Sequence, residues 1–213
     1  MPVDKTRAFE LHKKAKGKIK IYPTININSL EELRLAYIPG SVPAAMAIKE
    51  EPELSYEYTG RGNRIAVITD GSAVLGLGDV GPDAALPVIE GKCLIFKIFG
   101  DINALPICLD TRDPEDIVYL ATSMAPSLGG INIEDIDSPR TFMIVRELQS
   151  RVDIPVLCDD QHGTAVVTLA GLWNALEVTD KKMNELKIVI NGAGIAGPTL
   201  AWWLRRGGHD VLL

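Results

Sequence analysis

Short apolar segments that alternate with helix-like stretches constrain the fold of this chain more than any other feature of its sequence. Several of these segments are apolar at successive positions, as strands buried on both faces of a parallel sheet are. Strands that alternate with helices indicate an α/β protein built on such a sheet. The predicted strands cover residues 64–69, 92–99, 106–109, 130–133, 155–158 and 187–191.

Helix signals lie between the predicted strands. Pro114 begins one helix, and Ser138 before Pro139 predicts another over 141–152, with the serine as capping residue and the proline at the first helical position. A third helix is predicted over residues 162–178. Its apolar positions recur at helical spacing and predict one buried stripe: Val166, Leu169, Trp173 and Leu176.

Composition excludes several classes of protein. Hydrophobic residues make up 46% and charged residues 23%, as in a globular protein that can bury a core. The net charge of −6 argues against a nucleic-acid partner, which requires a basic face. No apolar run approaches the roughly 20 residues that span a bilayer, and the basic N-terminal region lacks the apolar core of a signal peptide. Three separated cysteines without CxxC spacing favour reduced thiols in the cytoplasm.

A glycine motif of the form GxGxxG follows the predicted strand KIVIN and opens a helix. Gly192 permits a tight turn, Gly194 with Ala193 lets a pyrophosphate approach the backbone, and Gly197 lets helix and strand pack closely. The helix N-terminus adds partial positive charge. This context predicts binding of a nicotinamide dinucleotide, NAD or NADP, and the alternative is a tight turn without a ligand.

The dinucleotide-binding unit is incomplete in this sequence. An acidic residue that contacts the adenosine ribose lies about 20 residues after the glycines in such units, which is beyond Leu213. We therefore expect a parallel-sheet substrate domain over residues 1–180, followed over 181–213 by the start of a Rossmann-like unit. The polar stretch VTDKKMNEL marks the boundary. The chain is expected to be a fragment, or to have a tail that finds a partner or stays loose.

Two pairs of acidic residues follow predicted strands: Glu134 and Asp135 come after GINI, and Asp159 and Asp160 come after PVLC. The carboxyl ends of parallel strands share one edge of the sheet, where ligands collect. Carboxylates that converge there repel one another unless a cation neutralises them, and their hard oxygens favour Mg²⁺ or Mn²⁺. The alternative is that both pairs are solvated loop ends.

Taken together, these segments resemble the malic enzymes, particularly the shorter bacterial type. Six segments match that family in order and spacing, which is far more specific than any one of them. They are LAYIPGSV (35–42), YTGRGNRIAVITDGSAVLGLGDVGP (58–82), PVIEGKCLIFK (87–97), GGINIEDI (129–136), IPVLCDDQHGTA (154–165) and KIVINGAGIAG (187–197).

The resemblance implies roles for individual residues. Tyr37 matches the general acid that protonates the enolate carbon, Lys92 matches the general base for the substrate hydroxyl, and Asp159 matches the carboxylate that partners the lysine. Ala73 stands where larger members carry an arginine that helps to bind the substrate, so the group that clamps the substrate carboxylate is unidentified. The matched metal ligands are Glu134, Asp135 and Asp160.

The implied reaction is the oxidative decarboxylation of malate to pyruvate and CO₂, with NAD or NADP, Mg²⁺ or Mn²⁺, and a homodimeric protein. Two alternatives stay open. One is a truncated, non-catalytic relative that binds metal and keto acid or mediates oligomerisation, and that keeps at most the decarboxylation of oxaloacetate. The other is a flavoprotein fragment, because PTLAWWLRRGGHDVLL also resembles the opening of flavin-dependent monooxygenases.

Overall fold

A four-stranded parallel sheet forms the centre of the computed structural model, which describes residues 4–213. Its strands are β1 (Arg64–Thr69), β2 (Asn103–Cys108), β3 (Gly130–Ile133) and β4 (Val156–Cys158), in the spatial order β2-β1-β3-β4. In the register of this sheet, Ile65 of β1 lies between Ala104 of β2 and Gly130 of β3. The predicted α/β class is confirmed, and β1 and β3 have the predicted bounds.

Helices cover both faces of this sheet. On one face, α6 (Pro114–Met124) and α7 (Arg140–Arg151) pack against alternate residues of β1 and β3 and enclose the larger apolar core. On the other face, α5 (Gly81–Gly100) packs against β1 and β2. Burial on both faces explains the continuous apolar character of the strands, because each side of the strand meets a helix.

The predicted strand over residues 92–99 is wrong, because these residues form the second half of α5. Periodicity alone does not separate a buried strand from a helix segment in a short apolar run. Ile89 and Cys93, four residues apart, face the sheet, whereas Ile98 and Phe99 are 64% and 83% exposed. Lys92 consequently projects from the middle of a helix.

Other helix signals differ from expectation in detail. Helix α6 begins at Pro114 as predicted, with the Asp113 carboxylate accepting a hydrogen bond from the Glu115 amide. Helix α7 begins at Arg140, and no side chain caps it, so the predicted serine cap is wrong. The predicted stripe of the third helix, α8 (Thr164–Thr179), is not buried as a whole, because Val166 and Trp173 are more than half exposed.

The N-terminal region lies on the surface. It contains α1 (Lys5–Ala15), α2 (Leu30–Ala36), α3 (Ser41–Glu50) and α4 (Ser55–Tyr58), with short 3-10 turns at Pro52–Leu54 and Gly60–Asn63. From residue 4 to residue 65 no residue is buried. We call residues 20–46 the exposed segment. Its exposed large apolar side chains are Ile21, Tyr22, Ile25, Ile27, Leu30, Leu33, Leu35, Tyr37, Ile38, Val42 and Met46.

A second, smaller sheet of two parallel strands lies in the C-terminal part of the chain. A π-helical turn, Asp159–Gly163, leads into α8, and β5 (Ile188–Val189), α9 (Ala196–Arg206) and β6 (Val211–Leu212) follow. Helix α9 packs against α8 and the short strands through its own apolar cluster. The division between residues 180 and 181 stays a prediction, and residues 1–3 of the first domain lie outside the described residues. None of the helices within residues 4–213 is both long and apolar enough to cross a membrane.

Candidate active site

The order of the strands creates a crevice at the carboxyl edge of the sheet. From β1 the chain passes through α5 to β2 on one side, and it then returns past β1 to β3 on the other side. Ligands of open α/β sheets bind outside the carboxyl ends of the strands at such a switch point. Acidic residues directly follow three of the four strands at this edge: Asp70 after β1, Glu134 after β3 and Asp159 after β4.

Lys92 joins two of these acids. Its Nζ lies 2.9 Å from Glu134 Oε1 and 2.6 Å from Asp159 Oδ2. The other carboxylate oxygen of Glu134 accepts a hydrogen bond of 2.7 Å from the Asn132 side-chain amide. Residues 92, 134 and 159 are far apart in the sequence, yet the structure brings them together as the resemblance implied.

Burial and ion pairing shift the pKa values of Lys92 and Glu134 in opposite directions. Burial by itself would lower the pKa of Lys92, but the hydrogen bonds to Asp159 and Glu134 raise that pKa above its usual value. Burial raises the pKa of Glu134 to about 7, although Lys92 acts in the opposite direction. Lys92 is therefore an ammonium group in this arrangement, and it holds a proton between two carboxyl groups.

Asp135 and Asp160 form the second half of the acidic group. The Asp135 amide donates a hydrogen bond of 2.9 Å to Asp160 Oδ2, and Asp135 has the left-handed φ of 51°. Burial and the neighbouring charge of Asp160 raise the pKa of Asp135 to about 6. Burial likewise raises the pKa of Asp160. A carboxyl group that is buried beside a like charge retains its proton more readily than one in water.

The donor chemistry of this group suits a divalent cation. Glu134, Asp135 and Asp160 offer hard oxygen ligands, and a cation would stabilise the ionised carboxylates, which burial and then mutual repulsion disfavour. As they stand, the residues from 4 to 213 contain no group of three or more histidine, cysteine or acidic side chains spaced to hold one ion. Glu134 is engaged by Lys92 and Asn132. The assignment of these three ligands therefore stays a prediction.

Tyr37 lies apart from this group. It follows α2 within the exposed segment, and its side chain is 66% exposed. Across the described part of the chain, its hydroxyl forms no hydrogen bond with Lys92 or with the acids. The structure thus brings together the amine and the carboxylates but not the phenol.

The glycine motif has the backbone features that its pattern predicts. Gly192 has a φ of 121°, which side chains rarely tolerate, and a Cβ at Gly197 would overlap the Gly192 carbonyl oxygen. A Cβ at Gly194 would meet nothing within 4 Å, so space remains for a ligand beside the exposed backbone of Ala193 and Gly194. Cofactor binding at these residues stays a prediction.

Two further features of the site were not predicted from the sequence. A Cβ at Gly163 would overlap Asp159 Oδ1, so the glycine makes room for the carboxylate that binds Lys92. Asp70, which is fully buried after β1, pairs with Arg140 at 2.7 Å. The position of Asp70 directly after a strand was the signal that could have identified it, as it did for the other acids.

Comparison with known proteins gives consistent matches along the chain. A family model described as malic enzyme, N-terminal domain, matches residues 14–118, and another described as malic enzyme, NAD binding domain, matches residues 161–207. The chain is 49% identical over 191 residues to an NAD-dependent malic enzyme of Geobacillus stearothermophilus. It is 47% identical over 207 residues to a bifunctional malic/malolactic enzyme of Bacillus subtilis.

The alignments cover nearly all of this chain but only part of each relative. They include 90% and 97% of this chain, against 40% and 50% of the two relatives. The crystal structure of an NAD-dependent malic enzyme from Thermotoga maritima superposes with a TM-score of 0.93 at 47% identity, over 99% of this chain and 55% of that one. The chain therefore spans about half the length of these three proteins.

Gly163→Ala is expected to disturb the pair of Lys92 and Asp159. The added methyl group would overlap the Asp159 carboxylate and force it or the π-helical turn to move, which is expected to lower the free energy of unfolding by about 1–3 kcal/mol. Gly171→Ala in α8 is the matched control. Its Cβ meets nothing within 4 Å, so a gain of about 0.5–1 kcal/mol from helix propensity is expected. Denaturant unfolding measures both, and equal stabilisation by the two substitutions would contradict the close contact.

Proposed function

The chain belongs to the malic enzyme family, and from this premise we propose that it carries the substrate-binding part of an enzyme that oxidatively decarboxylates malate to pyruvate and CO₂. The observation that supports this proposal most directly is the position of Lys92 between Glu134 and Asp159 at the switch point of the sheet. An amine beside buried carboxyl groups can hold and move a proton at the atom where the reaction begins.

Lys92 is proposed to accept the proton of the substrate hydroxyl. Oxidation at C2 of malate requires loss of this proton together with a hydride, which the nicotinamide cofactor accepts when it is bound. Lys92 is an ammonium group before the substrate enters, so it must first release a proton, and Asp159 Oδ2 at 2.6 Å is placed to receive it. Asp159 then serves as the proton partner of the lysine.

Glu134, Asp135 and Asp160 are proposed to hold Mg²⁺ or Mn²⁺. Such an ion would supply Lewis-acid chemistry: it would polarise the substrate oxygen and stabilise the charge that develops on loss of CO₂. The three carboxyl groups supply the negative charge that the ion requires, and burial around them limits competition from water. Asn132 keeps Glu134 oriented through its hydrogen bond to Oε2.

The nicotinamide cofactor, NAD or NADP, is proposed to bind at Gly192, Ala193, Gly194 and Gly197. Gly192 and Gly197 hold the tight turn, and the backbone between them faces open space at the start of α9. The amides of a helix N-terminus favour an anionic pyrophosphate.

We place the protein in the cytoplasm, in keeping with its three free cysteines.

A homodimer is proposed because of the exposed segment. Residues 21–39 are almost all exposed despite their many apolar side chains, and large exposed apolar patches are typical of protein interfaces. Tyr37, the proposed general acid, lies within this segment and away from Lys92. Packing the segment against a second copy would bury its apolar side chains and fix the position of Tyr37.

The decarboxylating activity can be tested on the chain as it stands. With Mn²⁺ and oxaloacetate, we expect CO₂ release above the buffer rate. We expect Lys92→Met to reduce it about 100-fold, because oxaloacetate has no C2 hydroxyl to deprotonate but the Lys92 ammonium group that would donate a proton to the charge developing on the C2 oxygen is lost. Lys97→Met, which removes an exposed lysine from the same helix, is the control that should keep the activity. Malate is assayed separately with each nucleotide. Absence of any metal-dependent CO₂ release would favour the non-catalytic binding module instead.

The metal ligands can be tested by calorimetry. Replacing Asp135 and Asp160 together by alanine is expected to weaken Mn²⁺ binding more than about tenfold, because two of the three proposed ligands disappear. The control replaces Asp110 and Asp153, two exposed acids on the surface of the same domain, and changes the net charge equally. Equal Mn²⁺ affinity in the two double variants would refute the assignment.

The homodimer can be tested by light scattering. We expect a mass of twice 23.1 kDa for the unsubstituted chain, and a shift towards 23.1 kDa when Leu33 and Leu35 of the exposed segment are both replaced by aspartate. Charges inside an apolar interface are costly, which is the reason for the shift. The control replaces Ile98 and Phe99 of α5 by aspartate. On average these two side chains are at least as exposed as those of Leu33 and Leu35. A monomeric unsubstituted chain would disprove the dimer.

A further inference from the structure

A buried ion pair lies next to the proposed metal ligands but takes no part in the proposed reaction. Asp70 is fully buried, and its two carboxylate oxygens contact Arg140 Nη1 at 2.7 Å and the Ser72 hydroxyl at 2.5 Å. A buried carboxylate is tolerated only when it is paired and hydrogen-bonded. The pair therefore ties the loop after β1 to the first residue of α7.

Ser72 is the centre of this network. Its hydroxyl donates to Asp70 Oδ1, and its oxygen accepts hydrogen bonds of 2.9 Å from both the Asp137 amide and Arg140 Nη2. A serine hydroxyl has one donor and two acceptor positions, so its full capacity is used. This oxygen atom is therefore one of the links between the loop after β1 and the loop after β3.

The same loop holds Asp135 directly. The Ala73 amide donates a hydrogen bond of 3.0 Å to the Asp135 carbonyl oxygen. Asp135 has a left-handed backbone, which is uncommon for a residue other than glycine and persists only where its surroundings impose it. The contact of Ala73 therefore holds Asp135 itself, and the contact of Ser72 holds the chain two residues later, at the Asp137 amide.

We propose that Ser72 is a positioning residue: through Asp70, Arg140 and Asp137 it holds the loop that keeps the Asp135 carboxylate directed at the candidate metal site. The proposal rests on the proposed function only in naming the metal. The backbone arrangement of Asp135 can be measured without any metal. Ser72 itself contacts neither a proposed ligand side chain nor a proposed catalytic residue.

Ser72→Ala is the test, and Ser150→Ala, which removes an exposed hydroxyl bonded within α7, is the matched control. In the full metal-free chain, we expect hydrogen exchange of the Asp135 amide to accelerate about tenfold in Ser72→Ala. The Asp137 amide, two residues later, loses its acceptor, and the loop that carries Asp135 then opens more readily by roughly the free energy of one hydrogen bond. In a Mn²⁺ titration followed by electron paramagnetic resonance, we expect affinity to fall about tenfold. Ser72→Thr, which keeps the hydroxyl, should restore both.

The outcomes separate the two proposals. Unchanged exchange at Asp135 in a folded Ser72→Ala chain overturns the positioning role, whatever the metal does. If the unsubstituted chain binds no Mn²⁺, the metal assignment fails while the exchange measurement still decides the role of Ser72. If Ser72→Ala does not fold, Ser72→Cys replaces it, because a thiol fills similar space and is a weak donor, and the same two measurements apply.

Discussion

Buried negative charge is the constraint on which the arrangement of this molecule depends. Parallel strands direct their carboxyl ends to one edge, and acidic residues follow three of them there. Removed from water, these groups must be neutralised, and two cations from distant parts of the chain do so: Lys92 pairs with Glu134 and Asp159, and Arg140 pairs with Asp70. Asp135 and Asp160 form no comparable ion pair within the described residues, and burial raises the pKa of both carboxyl groups.

The two ion-paired groups have different roles at the site. The pair of Asp70 and Arg140 is sheltered and connects loops, as expected of a structural element. The group around Lys92 is less buried and places an ammonium group between two carboxyl groups, as expected where protons are transferred. Gly163 supports the second group by leaving room for Asp159. Rigid support beside a polar, proton-bearing centre is the arrangement that a preorganised site requires.

Both ends of the described chain leave apolar surface uncovered. The exposed segment packs against no core, and in the C-terminal unit two short strands and α9 form only a small apolar cluster. The chain spans about half the length of its matched relatives. The groups proposed to move protons and hold metal nonetheless all lie on the central sheet and α5 or in the turn after β4, apart from Tyr37.

Local sequence determined the elements whose signals are short in range. Buried strands such as β1 and β3, the start of α6 at Pro114, and the strand-turn-helix around Gly192 were predictable, because backbone stiffness, proline geometry and glycine freedom act within a few residues. Tertiary structure alone decided that residues 92–99 are helical, because an apolar run suits a strand or a helix until its packing partner is known. It also decided the strand order, and with it the meeting of Lys92 with Glu134 and of Arg140 with Asp70. Such contacts join residues more than 40 positions apart, and their strength comes from shared burial, which no local pattern records.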